Sequence, residues 1–288
     1  MNYFERGGYV EFHVDDDFDL EKIFECGQCF RWNRDEDGSY TGVARGKAAR
    51  IYKEGDSVFI SGTAEDFERV WYDYFDLGRN YAEIRRSLRI DDYMEKASDF
   101  GAGIRILNQD RWEGLCSFII SQCNNIPRIK KIVETLCQNF GDAIPFDGRM
   151  CYAFPPAERI AHLTPYDLAP LRCGYRAPYI ISAAKAVASG KLDFDKLAKL
   201  DAESARRALK SLNGVGDKVA NCVVLFALHK LDAFPIDVWM KKAIAEHYGG
   251  KLDPAVFGGY AGIAQQYMFF YQRSGTEKAA LDTAAVLV

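Results

Sequence analysis

The sequence predicts an α+β fold. An N-terminal antiparallel β-sheet domain with flanking helices is expected over residues 1–98, and an all-helical domain built around a helix–hairpin–helix over 99–288. Three features of the chain predict it. Up to about residue 63, short and partly alternating segments are separated by polar turns. From Ala64 to about Gly275, apolar residues recur at helical spacing and the connections are short. Within that half, Leu212-Asn213-Gly214-Val215-Gly216-Asp217-Lys218 sets two glycines between two helical segments, where glycine permits positive φ and close backbone approach.

Taken in order, residues 9–14 alternate in part. Residues 30–32 and 40–43 flank the turn-forming 33–38, and 49–52 and 57–60 flank 53–56, so two hairpins are expected. The Asp15–Asp17 run reads as a solvated loop leading into a helix. Helices are expected over 64–75, 79–89, 91–100, 112–121, 127–140, 156–161, 165–169, 178–189 and 194–199. They continue over 201–212, from about 219, over 238–248 and over 261–272. Asp201 and Asp237 are placed to cap their helices. The last fourteen residues are expected to form a loose tail.

Composition narrows the function classes. The longest apolar runs, such as Val223 to Leu228, are far shorter than the ~20 residues a membrane helix needs. No charged-then-apolar leader opens the chain, so a cytoplasmic protein is expected. The eight cysteines are scattered and fit free thiols in a reducing compartment. Cys26-Gly27-Gln28-Cys29 is a C-x-x-C, but a zinc site needs a second pair and none follows, so no metal is expected. Net charge is −4, yet residues 1–100 hold 14 Lys/Arg against 23 Asp/Glu and residues 101–288 hold 23 against 18. The positive surplus travels with the hairpin, where a phosphate backbone would lie.

Lys218 falls in the first turn of the second hairpin helix, and Cys222, four residues on, shares its face. That first turn also offers open N–H groups to a phosphate. Nineteen positions past Lys218, Asp237 follows Pro235. Alone, such a lysine is a solvated side chain and such an aspartate a helix cap. A Gly-x-Gly hairpin also serves DNA-binding modules that do no chemistry. The three together resemble the helix-hairpin-helix, Gly/Pro-rich, Asp motif of base-excision DNA glycosylases, and further stretches resemble the lyase-active 8-oxoguanine DNA glycosylase family from about residue 10 to 272.

The resemblance implies a role for each matching residue. Lys218 would attack the sugar and Asp237 would stabilise the positive charge that develops on it. Gly27, in Gly27-Gln28-Cys29-Phe30-Arg31-Trp32, would offer its carbonyl to N7–H of 8-oxoguanine, a donor where guanine has a lone pair. Gln265 would read the Watson–Crick edge, with Phe269 and Cys222 on the two faces of the base. In Ser121-Gln122-Cys123-Asn124-Asn125-Ile126-Pro127-Arg128, a segment that also reads as a helix-capping loop, Asn124, Asn125 and Arg128 would enter the gap left by the base. Cys123 stands there in place of a further Asn. Tyr175 would be a wedge in the stack and Arg176 a reader of the orphaned partner base, although a loop aromatic packed on its own domain is the plain alternative. Gly214, Val215 and Gly216 would bind phosphates, as would Trp239, where the family often has a His.

The resemblance further implies a monomer acting on duplex DNA that contains 8-oxoguanine, with no membrane and no cofactor. It would act by base flipping, a Schiff base and β-elimination. The alternatives are an alkylated-base glycosylase without lyase activity, which lacks a lysine at 218, and a silent DNA-binding module. An iron–sulfur glycosylase needs clustered cysteines near the C-terminus, and none follows Cys222.

Overall fold

A computed structural model of the chain describes residues 2–14 and 16–286, with side chains through 275. The loose tail expected over the last fourteen residues is instead a continuation of the final helix as far as Val286, and residues 287–288 lie outside the described ones. A six-stranded antiparallel sheet opens the chain. It comprises β1 (Tyr3–Arg6), β2 (Tyr9–His13), β3 (Trp32–Arg34), β4 (Tyr40–Ala44), β5 (Lys47–Glu54) and β6 (Ser57–Ser61), ordered β1-β2-β6-β5-β4-β3. Alternation sets the buried face: Val10 lies opposite Ile60 and Phe12 opposite Val58, all four buried. α1 (Leu20–Glu25), between β2 and β3, closes this face with Phe24, whose ring stacks on Trp32 at 4.5 Å.

α2 (Ala64–Asp66), a π-helical turn (Phe67–Trp71) and α3 (Tyr72–Tyr74) run on as one stretch and cover the sheet with Phe67, Trp71 and Tyr74. The chain then forms α4 (Tyr81–Ser87), α5 (Asp92–Phe100), α6 (Arg111–Ile120) and α7 (Ile126–Phe140). A small hairpin, β7 (Ala143–Phe146) and β8 (Arg149–Tyr152), leads to α8 (Ala157–Ala161), α9 (Ala177–Ala188), α10 (Phe194–Lys199) and α11 (Ala202–Leu209). α12 (Asp217–Phe226), α13 (Val238–Tyr248) and α14 (Ala261–Val286) complete the fold. Asp91, Asp110, Asn125, Asp201 and Asp237 each accept a bond from the N–H three residues on, typically worth ~1 kcal/mol per cap.

The elements depart from expectation in several places. β1 is not among the segments expected as strands, yet it pairs with β2 across Gly7-Gly8 (φ 60° and 81°), a two-residue hairpin turn. β3 begins at Trp32, so Phe30 and Arg31 lie before the strand, and Phe30 packs into the helical core. The β7–β8 hairpin arises within the helical half, closed by Asp147 (φ 49°) and Gly148 (φ 71°), a pair suited to a tight turn. Residues 165–169 form no α-helix. Asp167 accepts from both N and Oγ1 of Thr164, which closes a turn instead, and a 3₁₀ turn at Ala169–Leu171 follows.

Two apolar cores result. The smaller joins the sheet, α1 and the 64–77 stretch, and takes in Leu107. The larger runs from Tyr81 through Met268 and takes in Cys26 and Phe30. Arg105, fully buried, ties the two together. Its guanidinium reaches Asp16 Oδ1 at 2.8 Å and the carbonyls of Asp17, Phe75, Asp76 and Arg79 at 2.7–3.1 Å. Every donor of a buried charge is thereby used, which is what makes its burial tolerable. α12 is clasped at the centre of the larger core. A Cβ on Gly114 of α6 would lie 2.6 Å from Ala227 Cβ, and one on Gly262 of α14 would lie 2.3 Å from Leu225. Among the described residues no helix is long and apolar enough to cross a membrane.

Candidate active site

α11, the turn 210–216 and α12 form the helix–hairpin–helix. Gly214 has φ +79°, and a Cβ there would lie 2.2 Å from the Tyr179 ring, so both conformation and space demand glycine. Gly216 differs from expectation. It caps α12 in an extended conformation (φ −95°), with nothing within 4 Å of a Cβ. Its small size thus leaves the approach to the first turn of α12 open from outside. Gly216 has no side chain to cap that turn, so its leading N–H groups stay available to an anion. Val215 is buried beneath the turn. Asp217 is turned aside, held by Arg206 and by Lys210 at 2.7 Å.

Lys218 points inward from the same turn. Its Nζ donates to Ser121 Oγ at 2.9 Å and lies 5.6 Å from the centre of the Phe118 ring. Ser121 in turn donates to the Phe118 carbonyl at 2.8 Å, so a lone pair of its hydroxyl faces the amine. Lys218, Cys222, Asp237, Gln265, Phe269 and Gly27 all line one pocket, together with Phe118, Phe226, Pro235 and Gln266. Asp237 reaches it as the cap of α13, bound to Met240 N at 2.9 Å. Burial pushes the Cys222 thiol up, Lys218 draws it down and Asp237 raises it, so the sulfur is an uncharged wall of the pocket. Gln265 is 4% exposed, and its side-chain oxygen is buried without a hydrogen-bond partner, an acceptor in want of a donor. The pocket encloses about 50 Å³, well below the ~300–1,000 Å³ of drug-sized sites, so a purine enters only if the walls part. A larger cleft of about 290 Å³, lined by Arg45, Trp112, Glu113 and Phe154 among others, holds none of these residues.

Gly27 sits on the pocket wall at φ +82°, where a Cβ would touch Ile126 and Phe269 at 3.4 Å. Around it the carbonyls are taken: Glu25 by Arg273, Cys26 by Gln266 and Gln28 by Gln109, at 2.7–2.8 Å. No donor among the described residues reaches the carbonyl of Gly27 itself. Cys26 and Cys29 are buried, and burial raises both thiols, Cys26 to about 11.

A second group of the expected residues lies apart, beyond Ser121. Asn125 caps α7, Asn124 donates to Ile120 O at 3.1 Å, and Cys123 is exposed with φ +47°. Arg128 donates to Arg172 O at 3.2 Å. Tyr175 is half-exposed, with its hydroxyl 3.3 Å from the Gln122 carbonyl and its ring 6.1 Å from that of Tyr179, which ties it to the hairpin. Arg176 is not the open reader expected. It is 3% exposed, and its guanidinium donates to the carbonyls of Gln122, Cys123 and Cys173. Trp239 is half-buried in the first turn of α13, beside the exposed Val238. Ser121, Phe118, Gln266 and Arg273 join the site without a signal in the sequence. Ser121 reads as the end of an apolar helix, and Gln266 and Arg273 as ordinary polar positions of α14.

Residues 12–115 match the 8-oxoguanine DNA glycosylase N-terminal domain, and residues 116–255 match the HhH-GPD superfamily base excision DNA repair protein. A solved structure of MBOgg1 in complex with a low affinity DNA ligand is 44% identical, with a TM-score of 0.92 over 96% of this chain and 99% of that one. The Clostridium acetobutylicum 8-oxoguanine glycosylase/lyase, solved with duplex DNA containing cytosine opposite 8-oxoguanine, is 37% identical. Its TM-score is 0.91 over 96% of this chain and 99% of that one. An N-glycosylase/DNA lyase of Saccharomyces cerevisiae is 32% identical over 80% of this chain and 68% of its own length. The chain belongs to the 8-oxoguanine DNA glycosylase family, within the helix–hairpin–helix base excision repair superfamily.

Proposed function

We propose that this chain is a bifunctional DNA glycosylase and lyase that excises 8-oxoguanine from duplex DNA, with Lys218 as nucleophile and Asp237 as its electrostatic partner. The convergence of Lys218, Asp237, Gly27, Cys222, Gln265 and Phe269 on one pocket carries the reading. The hairpin holds phosphates at the start of α12, and the damaged nucleotide leaves the stack while Tyr175 and Asn124 occupy its place. The base passes between Cys222 and Phe269. Its N7–H meets the free Gly27 carbonyl, and its Watson–Crick edge brings donors to the orphaned oxygen of Gln265.

The neutral amine of Lys218 attacks C1′. The C1′–N9 bond breaks, its electron pair leaves with the base, and the base takes up a proton. The amine loses its own proton and the sugar opens to a Schiff base. Loss of a C2′ proton then expels the 3′ phosphate. Asp237, fixed by its cap bond, faces the positive charge that develops on the sugar. One chain completes the pocket, which supports action as a monomer. All eight cysteines are free, which supports a reducing compartment, the cytoplasm, with the nucleoid as its place in a bacterium. The test is base release from duplexes carrying 8-oxoguanine, 3-methyladenine or undamaged guanine opposite cytosine. Release of 8-oxoguanine alone is expected. Release of 3-methyladenine in preference would overturn the assignment.

A further inference from the structure

The irregular stretch between α1 and β3 has no strand partner to fix its peptide planes, yet it is held from α14 at two points. Gln266, 2% exposed, donates from Nε2 to the Cys26 carbonyl at 2.7 Å. Two turns further along the same helix, Arg273 donates from Nη2 to the Glu25 carbonyl at 2.8 Å. On the other side, Gln28 is anchored through its own amide to Ile23 O, Arg105 O and Leu107 N at 2.8–2.9 Å. Among the described residues the Gly27 carbonyl is thus an acceptor without a donor between carbonyls that are taken, and α14 also carries Gln265 and Phe269 into the same pocket.

We infer that Gln266 and Arg273 are positioning residues that keep the Gly27 peptide from turning over, and that this rigidity is what rejects guanine. The inference rests on the proposed pocket reading. Guanine and 8-oxoguanine differ on this edge by one site: guanine has an acceptor lone pair at N7 and 8-oxoguanine a donor N–H. A fixed carbonyl accepts from the second and repels the first. A peptide free to flip would instead present the Gln28 N–H to guanine N7 and satisfy it. Glycine, with no Cβ, is the residue for which such a flip costs least, so the restraint has to come from outside the stretch. Loosening the restraint therefore raises affinity for guanine more than it lowers affinity for 8-oxoguanine. A residue that only supported the fold would lower both.

The experiment measures binding of otherwise identical duplexes, one with 8-oxoguanine and one with guanine opposite cytosine. It uses full-length protein carrying Lys218→Gln so that the DNA stays intact. Gln266→Met and Arg273→Met keep side-chain bulk and remove the donor, whereas Arg273→Lys keeps a donor. Each Met variant is expected to lose about tenfold of the 8-oxoguanine-to-guanine ratio, mostly by gained guanine affinity, and Arg273→Lys is expected to retain it. An unchanged ratio in the Met variants, or a parallel fall in both affinities, overturns the inference and leaves the pocket reading standing. A parent protein with no preference between the duplexes overturns both. Should Gln266→Met fail to fold, the half-buried Arg273 pair of variants decides.

Discussion

Gly214 and Gly216 occupy one hairpin but are glycine for different reasons, and replacing each with alanine separates them. At Gly214 the φ of +79° costs an L-residue roughly 1–2 kcal/mol. The new Cβ would also sit 2.2–2.7 Å from three atoms of the Tyr179 ring, and relieving such overpacking typically costs ~1–3 kcal/mol. Gly214→Ala should therefore lose about 2–5 kcal/mol in urea denaturation and displace Tyr179. Since Tyr179 lies against Tyr175, DNA binding falls with it. At Gly216 the backbone is extended and the space around a Cβ is empty. The entropy gain from removing a glycine, ~0.4–1 kcal/mol, is offset by alanine's poorer service at a helix N-cap. Gly216→Ala should melt within about 1 kcal/mol of the parent. It should still bind duplex DNA about tenfold more weakly, because the added methyl stands where a phosphate meets the first N–H groups of α12. Fluorescence anisotropy with a labelled duplex reads the second effect. Unchanged DNA affinity in Gly216→Ala, or parental stability in Gly214→Ala, would refute this division of roles.

Asp237→Asn should keep the cap on α13, since asparagine caps well, yet lower single-turnover excision by roughly a hundredfold; full activity would end its electrostatic role. Cys123→Asn should sharpen the preference for cytosine over adenine opposite the lesion, by an amount bounded by the ~1–3 kcal/mol of a good base contact. Arg176→Ala should flatten that preference by releasing the Gln122–Cys123 loop it braces, and equal ratios in all three proteins would place partner reading elsewhere. Burial raises Glu113 to about 7, with Arg31 at 3.8 Å only partly offsetting it. The folded state therefore holds a proton that the unfolded chain releases near the ordinary carboxyl range. Stability should be fullest below about pH 4.5 as far as this group is concerned and fall as pH rises toward 7, by of order 1 kcal/mol per pH unit at most. Urea midpoints from pH 4.5 to 8 should lose that slope in Glu113→Gln; an unchanged slope would clear Glu113.

Much of this architecture was legible because it follows local rules. Asp201 and Asp237 cap the helices the sequence assigns to them, and the Gly214 turn forms between two amphipathic segments. Lys218 and Cys222 share a face because they stand four apart on a helix. What stayed hidden is of two kinds, short hairpins with little pattern and contacts distant in sequence. β1 is a four-residue strand turned onto β2 at Gly7-Gly8. The β7–β8 hairpin had its Asp147-Gly148 signal, but four-residue strands between helices leave little pattern to read. Ser121 meets Lys218 across 97 positions, and Gln266 meets Cys26 across 240, so neither pairing leaves a mark in local spacing. Arg176 looked like an open side chain beside a wedge. It is instead spent on three carbonyls, a role that shows only once the loops are packed.

Borohydride trapping on a duplex with 8-oxoguanine opposite cytosine tests the central claim most directly, because reduction captures the enzyme on DNA only if an amine has bonded to C1′. The parent protein should give a covalent complex. Lys218→Gln should give none and release no base, while binding the duplex with near-parental affinity. A trapped complex in Lys218→Gln, or base release at the parental rate without one, would contradict the assignment of Lys218 as nucleophile.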